Sequence, residues 1–503
     1  MNALRVPGAR PKAAVLGKGS PVLLVLLALC ALYLALVWLR PVDGDEGLYV
    51  TAFDEVAAGR SLYTDVLYFQ FPGLPYLFAP WLRFVSGPSP AGVRVLSFLF
   101  SAATLGIVAL YAYRERLSRR ATAALVLVVG ASGLMVGWAS TIKTYPFCIF
   151  CSVVAFLALS ATRQSRYASI VWPALAGLAL GAASAARFFY LACMVAALLW
   201  MAWDGASRGL GRQAARAVLA FLAGGIVVLL PVVWAVTRDP DAFWFCTVTF
   251  HGYRNEHSAM IGDWKQKLDT VWSLFCHLQL AALALLAVWT LRGKRLLLPE
   301  HRDQALAVAW IAMLSVLQFL PTPTLTQYYV NIVPLLAFAG AKTLSELVDT
   351  RWRASCLGLA AYLAFCPFES FWLEIKPMAG GWCPYTIAEW NHLARTIESH
   401  TAPNDRVLAW WPGIVTTGHR RLVHGFENNF PYMAWKRLPP AVRERYGVPD
   451  SQTVTSAIVA ADPALVLLRR RFFFPDRETY EVQLQAKYEL IAEESDFLVY
   501  ARR

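Results

Sequence analysis

Eleven stretches of this chain are apolar over about the length that a hydrocarbon core requires. They lie near residues 21–39, 94–113, 121–138, 146–162, 168–186, 188–203, 217–236, 272–291, 304–320, 328–347 and 354–374. A segment surrounded by lipid must satisfy its own backbone N–H and C=O groups, so runs of this kind fold as helices. The whole chain is 57% hydrophobic and 16% charged, against about a quarter charged in a soluble chain. The fold class expected is therefore a polytopic α-helical membrane protein with about eleven transmembrane helices. The net charge of +13 does not point to nucleic acid. Lys and Arg gather in the short loops between apolar runs, which is a topology signal.

With a cytoplasmic N-terminus, every second loop should be basic. Arg114/Arg116/Arg119/Arg120, Arg163/Arg166, Arg208/Arg212/Arg216, Arg292/Lys294/Arg295/Arg302 and Lys342/Arg351/Arg353 all fall on the cytoplasmic side. The short opposite loops near 139–145, 184–187 and 321–327 contain only Lys143 and Arg187. Arg5, Arg10, Lys12 and Lys18 ahead of the first run imitate a signal peptide. That run is long enough to span and no small-residue cleavage pattern precedes Arg40, so a retained helix is expected. Residues 1–374 then form a membrane module with two longer outer segments, 41–93 and 238–271. Residues 375–503 turn polar and read as a small extracytoplasmic α/β domain. In it, Ile387–Ser399 and Arg477–Leu490 have helical spacing, and Arg406–Trp411 and Ala464–Leu468 look like short buried strands. Cys148 and Cys151 form a CxxC inside an apolar helix and read as small packing residues.

Chemistry concentrates just after the first run, in Asp43-Gly44-Asp45-Glu46-Gly47-Leu48-Tyr49. Carboxylates at the edge of a membrane domain are a functional-site hypothesis by default. The plainer reading is capping of an interfacial helix, but a cap uses one carboxylate and not three. The remainder of 41–93 is rich in aromatic residues and broken by Pro72, Pro75 and Pro80, which suits helices lying along the headgroup region. Lys143 and Arg187 face the same side against the positive-inside tendency. A lipid phosphate is a natural partner for them, the Arg as a bidentate fork and the Lys as a point charge; snorkelling to ordinary phospholipids is the simpler account. In 238–271, His251, Tyr253, Arg254, Asn255, Glu256, His257 and Asp263 form a polar cluster. The His251–His257 spacing matches no metal motif, so a solvated irregular loop is expected. Gln327, Tyr328 and Tyr329 place an amide and two phenols at the outer end of the tenth run.

The loop opening Asp45-Glu46-Gly47-Leu48-Tyr49 after a basic N-terminus and one helix resembles the C-type fold (GT-C) glycosyltransferases. The branch is that of the protein O-mannosyltransferases and the bacterial lipid A aminoarabinose transferase. Tyr328–Leu336 resembles the family's His-Tyr-Tyr-x-x-x-x-Pro helix, and Pro403–Leu408 the opening of its extracytoplasmic domain. The resemblance implies an inverting hexosyl- or pentosyltransferase of the bacterial cytoplasmic membrane. Such an enzyme moves a sugar from a polyprenyl-phosphate donor to a glycolipid, polysaccharide or protein acceptor on the outer side. Asp45 would be the catalytic base and Glu46 would orient it or the acceptor. Arg187 and Lys143 would stabilise the departing phosphate, with Asp43, Tyr49, Gln70, Gln327 and Tyr328 as substrate-binding candidates. No cofactor is expected, although carboxylates leave a divalent cation chemically open. The chain departs from the family at three points. Gln70-Phe71-Pro72-Gly73 replaces a Lys-Pro-Pro, Lys143-Thr144-Tyr145-Pro146 lacks an acid, and Gln327 stands where His is common. The alternatives are a transporter or flippase of lipid-linked glycan, or a non-catalytic envelope assembly protein. A transporter would show broken helices with charges near mid-membrane, whereas the long apolar runs here are nearly free of ionisable groups.

Overall fold

The computed structural model describes residues 20–254, 264–294, 296, 298, 301–321, 323–381, 383–470 and 477–503. All eleven apolar stretches are helical. Among the described residues seven helices are long and apolar enough to cross a membrane: Pro21–Leu39, Pro90–Arg114, Thr144–Gln164, Tyr190–Ser207, Gly211–Arg238, Thr326–Thr350 and Trp352–Met378. Trp264–Cys276 and Leu278–Leu291 meet at 77° and make an eighth if the bent pair is one span. The other three stretches are interrupted, short or charged. Residues 121–138 divide into Arg119–Gly130 and Gly133–Trp138, Val171–Ala186 has 16 residues, and Arg302–Phe319 carries Arg302 and Asp303 in its first turn. Small residues let helices approach closely in a lipid environment. A Cβ at Gly177 or Gly224 would strike the backbone of Phe221 or Ala174 on the facing helix.

The first outer segment folds into the helices Glu46–Ala57 and Gly73–Trp81, the second running into a π-turn at Leu82–Ser86. The segment 238–271 is not the irregular loop expected. Asp239 accepts from the Ala242 N–H at 2.9 Å and starts a helical run, Pro240–Arg254, with a π-turn at Phe245–Thr249. Asn255, Glu256, His257 and Asp263 lie outside the described residues. The two segments share an aromatic cluster in which Phe69 meets Phe250 at 4.0 Å, Phe71 stacks on Phe188 at 5.6 Å and Phe245 stacks on Tyr446 at 3.9 Å. That packing supplies the order which the local sequence lacks.

The helix Trp352–Met378 runs past residue 374 into the polar C-terminal part. There Thr386 caps the helix Ile387–Ser399, and five strands form one sheet in the order β2-β1-β3-β5-β4. The strands are β1 (Arg406–Ala409), β2 (Arg421–Leu422), β3 (Leu465–Arg469), β4 (Tyr488–Glu494) and β5 (Phe497–Arg502). β1 is parallel to β2 and β3; β5 is antiparallel to β3 and β4. The helix expected over Arg477–Leu490 is shorter, Glu481–Lys487, because Tyr488 onward pairs with β5 across a turn at Ser495 and Asp496. This hairpin is a tertiary preference that local spacing does not reveal. One apolar core runs from Tyr33, Trp138 and Phe156 among the membrane helices to Trp390, Trp411 and Leu465 in the C-terminal part.

Candidate active site

The carboxylate loop begins where the helix Pro21–Leu39 ends, and two buried arginines hold it. Arg94 grips Glu46 with two hydrogen bonds, Nε to Oε2 at 2.7 Å and Nη2 to Oε1 at 2.6 Å. It also donates to the carbonyls of Val37, Arg40 and Pro41 around that helix end. Arg40 stands 3.6 Å from Glu46 Oε1, and the backbone N–H groups of Asp43 and Ile142 donate to the same carboxylate at 2.8 and 3.3 Å. Glu46 has no solvent-exposed surface. It is placed to orient the loop that carries Asp45, and contact with an acceptor is not open to it in this arrangement.

Asp43 and Asp45 close on one cation. The Lys143 ammonium lies 2.8 Å from Asp43 Oδ1, 3.0 Å from Asp45 Oδ2 and 4.9 Å from the centroid of the Trp138 ring. Lys143 and Asp43 are buried, whereas the Asp45 side chain is 33% exposed. Burial alone would push the Asp43 carboxyl up. Lys143 and Arg40 outweigh burial and hold it below its ordinary range. Burial likewise opposes the charge on Lys143, and the two aspartates reverse this and raise it well above the usual lysine range. Asp45 occupies the N-terminal boundary of the helix Glu46–Ala57 but its side chain caps nothing, so the capping account does not explain it. It is the one open carboxylate of the three.

The C-terminal domain closes over this loop. Trp411 Nε1 donates to the Gly44 carbonyl at 2.7 Å, Val42 N–H donates to the Tyr385 carbonyl at 2.9 Å, and Asp43 bridges Ala379 in an antiparallel pairing. Gly47 is required by close approach: a Cβ there would enter the Trp411 ring, and one at Gly413 would strike the Gly47 backbone. The glycines of Asp-Gly-Asp-Glu-Gly are thus a docking surface for the domain.

Arg187 follows the helix Val171–Ala186 and is half-buried. Its guanidinium carbon lies 4.5 Å from the ring centroid of Tyr328, 5.2 Å from that of Tyr145 and 5.6 Å from that of Phe189. Among the described residues no carboxylate forms an ion pair with it, so its charge is framed by rings and left available. Tyr49 stands within electrostatic reach of Asp45, Lys143, Tyr145 and Arg187. Burial first, and Asp45 second, push its phenol up, so it stays neutral and donates to Gln70 Oε1 at 2.5 Å. Tyr63 donates to the Gln70 carbonyl at 2.7 Å. Gln327 is buried beside Tyr328 with its amide oxygen unpartnered.

The sequence-derived residues therefore form one group of Asp43, Asp45, Lys143 and Tyr49, extended by Gln70. Arg187, Tyr328 and Gln327 form a second group, joined to the first through Tyr145. His251 lies apart and donates from Nε2 to the Phe69 carbonyl at 2.9 Å. Among the described residues no three His, Cys, Asp or Glu side chains are gathered to hold a metal ion, and an ammonium stands between Asp43 and Asp45. Sequence reasoning missed Arg40, Arg94, Trp138, Tyr145 and Trp411. Arg40 and Arg94 defy the positive-inside tendency just as Lys143 and Arg187 do, and that signal was available.

No family model matches the sequence, and neither does any curated protein. Solved structures do. ArnT from Cupriavidus metallidurans bound to undecaprenyl phosphate superposes with a TM-score of 0.67 at 16% identity, over 95% of this chain and 97% of that one. The chain has the fold of GT-C membrane glycosyltransferases. Archaeal oligosaccharyltransferase AglB from Archaeoglobus fulgidus, in complex with an inhibitory peptide and a dolichol-phosphate, matches with a TM-score of 0.55 at 12% identity. The match covers 96% of this chain and 74% of that one. The mycobacterial arabinofuranosyltransferase AftD matches with a TM-score of 0.51 at 12% identity, over 96% and 40%. With its long apolar helices, the chain is a multi-pass GT-C-type membrane protein.

Proposed function

We propose that this protein is an inverting glycosyltransferase of the bacterial cytoplasmic membrane, with its N-terminus cytoplasmic and its C-terminal domain periplasmic. It takes a sugar from a polyprenyl-phosphate donor to a cell-envelope acceptor. One observation carries this reading. A single open carboxylate, Asp45, is held by a buried lysine, an arginine without a carboxylate partner among the described residues lies under aromatic rings, and Tyr49 is within electrostatic reach of both. The acceptor hydroxyl attacks the anomeric carbon and its proton passes to Asp45. The bond from that carbon to the phosphate oxygen breaks, and the lipid phosphate leaves with its electron pair. Arg187 stabilises the charge that grows on the phosphate. Lys143 aims Asp45, and Tyr49 is bonded to Gln70 beside them. The ArnT and AglB structures, which carry undecaprenyl phosphate and dolichol-phosphate, support the choice of donor class.

The bent span at His277 and the buried Glu369 and Glu374 are features a transporter would share. Glu374, however, lies one turn from the end of the helix at Met378 and bonds Trp138, close to the carboxylate loop and away from mid-membrane. The test of the main reading is Asp45→Asn in the full-length protein, read by mass spectrometry of envelope glycans and glycolipids against a deletion strain. The deletion identifies the missing sugar and its acceptor. The variant is expected to reproduce the deletion at normal expression, and a wild-type glycan profile would overturn the base assignment.

A further inference from the structure

Trp138 has two cations of the site against its ring. The Arg40 guanidinium carbon and the Lys143 ammonium each lie 4.9 Å from its centroid. Its indole N–H donates to Glu374 Oε2 at 2.6 Å. The other Glu374 oxygen lies 2.9 Å from His277 Nε2, and His277 Nδ1 is 2.7 Å from the Ser273 carbonyl. That carbonyl can only accept, so Nδ1 carries a proton. Glu374, His277 and Trp138 are all buried. Arg40 completes the frame by donating from Nε to the Gly137 carbonyl at 2.8 Å. A Cβ at Gly137 would stand 3.0 Å from Glu374 Cβ, so the helix Gly133–Trp138 packs against the aliphatic stem of Glu374.

We propose that Glu374 is a positioning residue for the active site: it fixes the plane of the Trp138 ring, and the ring fixes where Lys143 stands between Asp43 and Asp45. Two distances define the path, 2.6 Å from Glu374 to the indole N–H and 4.9 Å from the ring to the ammonium. A cation over a desolvated indole is held in place as well as attracted. Lys143 has no freedom to follow Asp45 outward while Trp138 is fixed. The role of Asp45 as base rests on the function proposed above; the position of Lys143 does not.

The test reads Lys143 directly and needs no donor or acceptor. Full-length protein in nanodiscs is acetylated with a water-soluble N-hydroxysuccinimide ester, and labelling of Lys143 is measured by peptide mass spectrometry. Lys267 is the internal control, since it is buried elsewhere and donates to the Phe319 and Leu320 carbonyls at 2.6 Å each. Trp138→Phe keeps a ring but loses the N–H, and Glu374→Ala removes the acceptor. Both are expected to raise Lys143 labelling about tenfold relative to Lys267, the scale of one lost desolvated cation–π contact. Glu374→Gln still accepts from the indole and offers an amide N–H to His277 Nε2, so it is expected to keep Lys143 protected. Unchanged Lys143 labelling in both disruptive variants would overturn the proposal. So would a parallel rise at Lys267, which reports general loosening, or a Glu374→Gln variant as labile as Glu374→Ala. Because no sugar transfer is involved, failure here is distinct from failure of the Asp45 assignment.

Discussion

Buried charge gathers at both ends of this helix bundle, and the two ends treat it differently. At the end away from the carboxylate loop, roughly 30 Å along the same helices, the buried aspartates Asp204 and Asp303 are closed. Asp303 accepts from Arg163 through both oxygens at 2.7 Å and from Ser160 at 2.9 Å. Asp204 pairs with Arg302 and Arg208 and accepts from Tyr167 at 2.9 Å. Those bonds tie Thr144–Gln164 and Tyr190–Ser207 to Arg302–Phe319. At the loop end, Glu46 is closed in the same manner by Arg94, but Asp45 is a third exposed and Arg187 has aromatic neighbours in place of a carboxylate. Charge satisfied on all sides builds the fold, and charge left one partner short is available for chemistry.

That contrast can be broken by mutation. The largest expected effect is on Asp45: Asp45→Asn should lower transfer by about 10²–10⁴-fold, the usual contribution of a positioned base, with the thermal midpoint unchanged. A stability loss in that variant would move Asp45 into the structural class. Next, Arg187→Ala should reduce turnover by about 10²–10³-fold, as loss of one oxyanion stabiliser does. Arg187→Lys should recover part of it, because the charge returns without the planar stacking. Kinetics with a polyprenyl-phosphate sugar would measure both.

The closed pairs should behave in the opposite way. Arg94→Met removes the two-bonded partner of the buried Glu46, leaving only the more distant Arg40, and should cost about 3 kcal/mol of stability, seen as a fall in denaturant midpoint in detergent. Arg163→Ala, whose pair with Asp303 is partly exposed, should cost about 1–2 kcal/mol after solvent screening and leave turnover per folded molecule intact. Reduced turnover there would show that the two ends communicate. The smallest effect concerns Glu55, on the helix that Asp45 begins. Burial pushes its carboxyl up to about 7 from 4.5, against the opposing pull of Arg60. A carboxyl whose folded pKa is raised stabilises the fold while protonated, so this contribution is present below pH 4.5 and is lost as pH rises through about 7. Glu55→Gln should remove that slope, and thermal midpoints of the two proteins across this window would show it.

The run lengths and the alternation of basic loops made the helical membrane architecture legible, because lipid imposes both constraints on local sequence. The resemblance at Asp45-Glu46-x-x-Tyr49 likewise pointed to the GT-C fold. The helix Ile387–Ser399 was legible for a local reason, its Thr386 cap and apolar spacing. The hairpin from Tyr488 was not, because its strands are defined by each other. The helical turns of Pro240–Arg254 were missed because aromatic partners distant in sequence hold them.

The sequence by itself placed three carboxylates, one lysine and one arginine on the same face of a membrane, since topology follows from hydropathy and loop charge. Hydropathy and loop charge did not distinguish among the carboxylates; the Asp45-Glu46-x-x-Tyr49 resemblance alone singled out Asp45. Tertiary structure separated them: Arg94 closes Glu46, Lys143 divides itself between Asp43 and Asp45, and the domain that docks through Trp411 leaves only Asp45 open. Burial and partnership are properties of where chain segments meet, and 48 residues separate Glu46 from Arg94 while 367 separate Gly44 from Trp411.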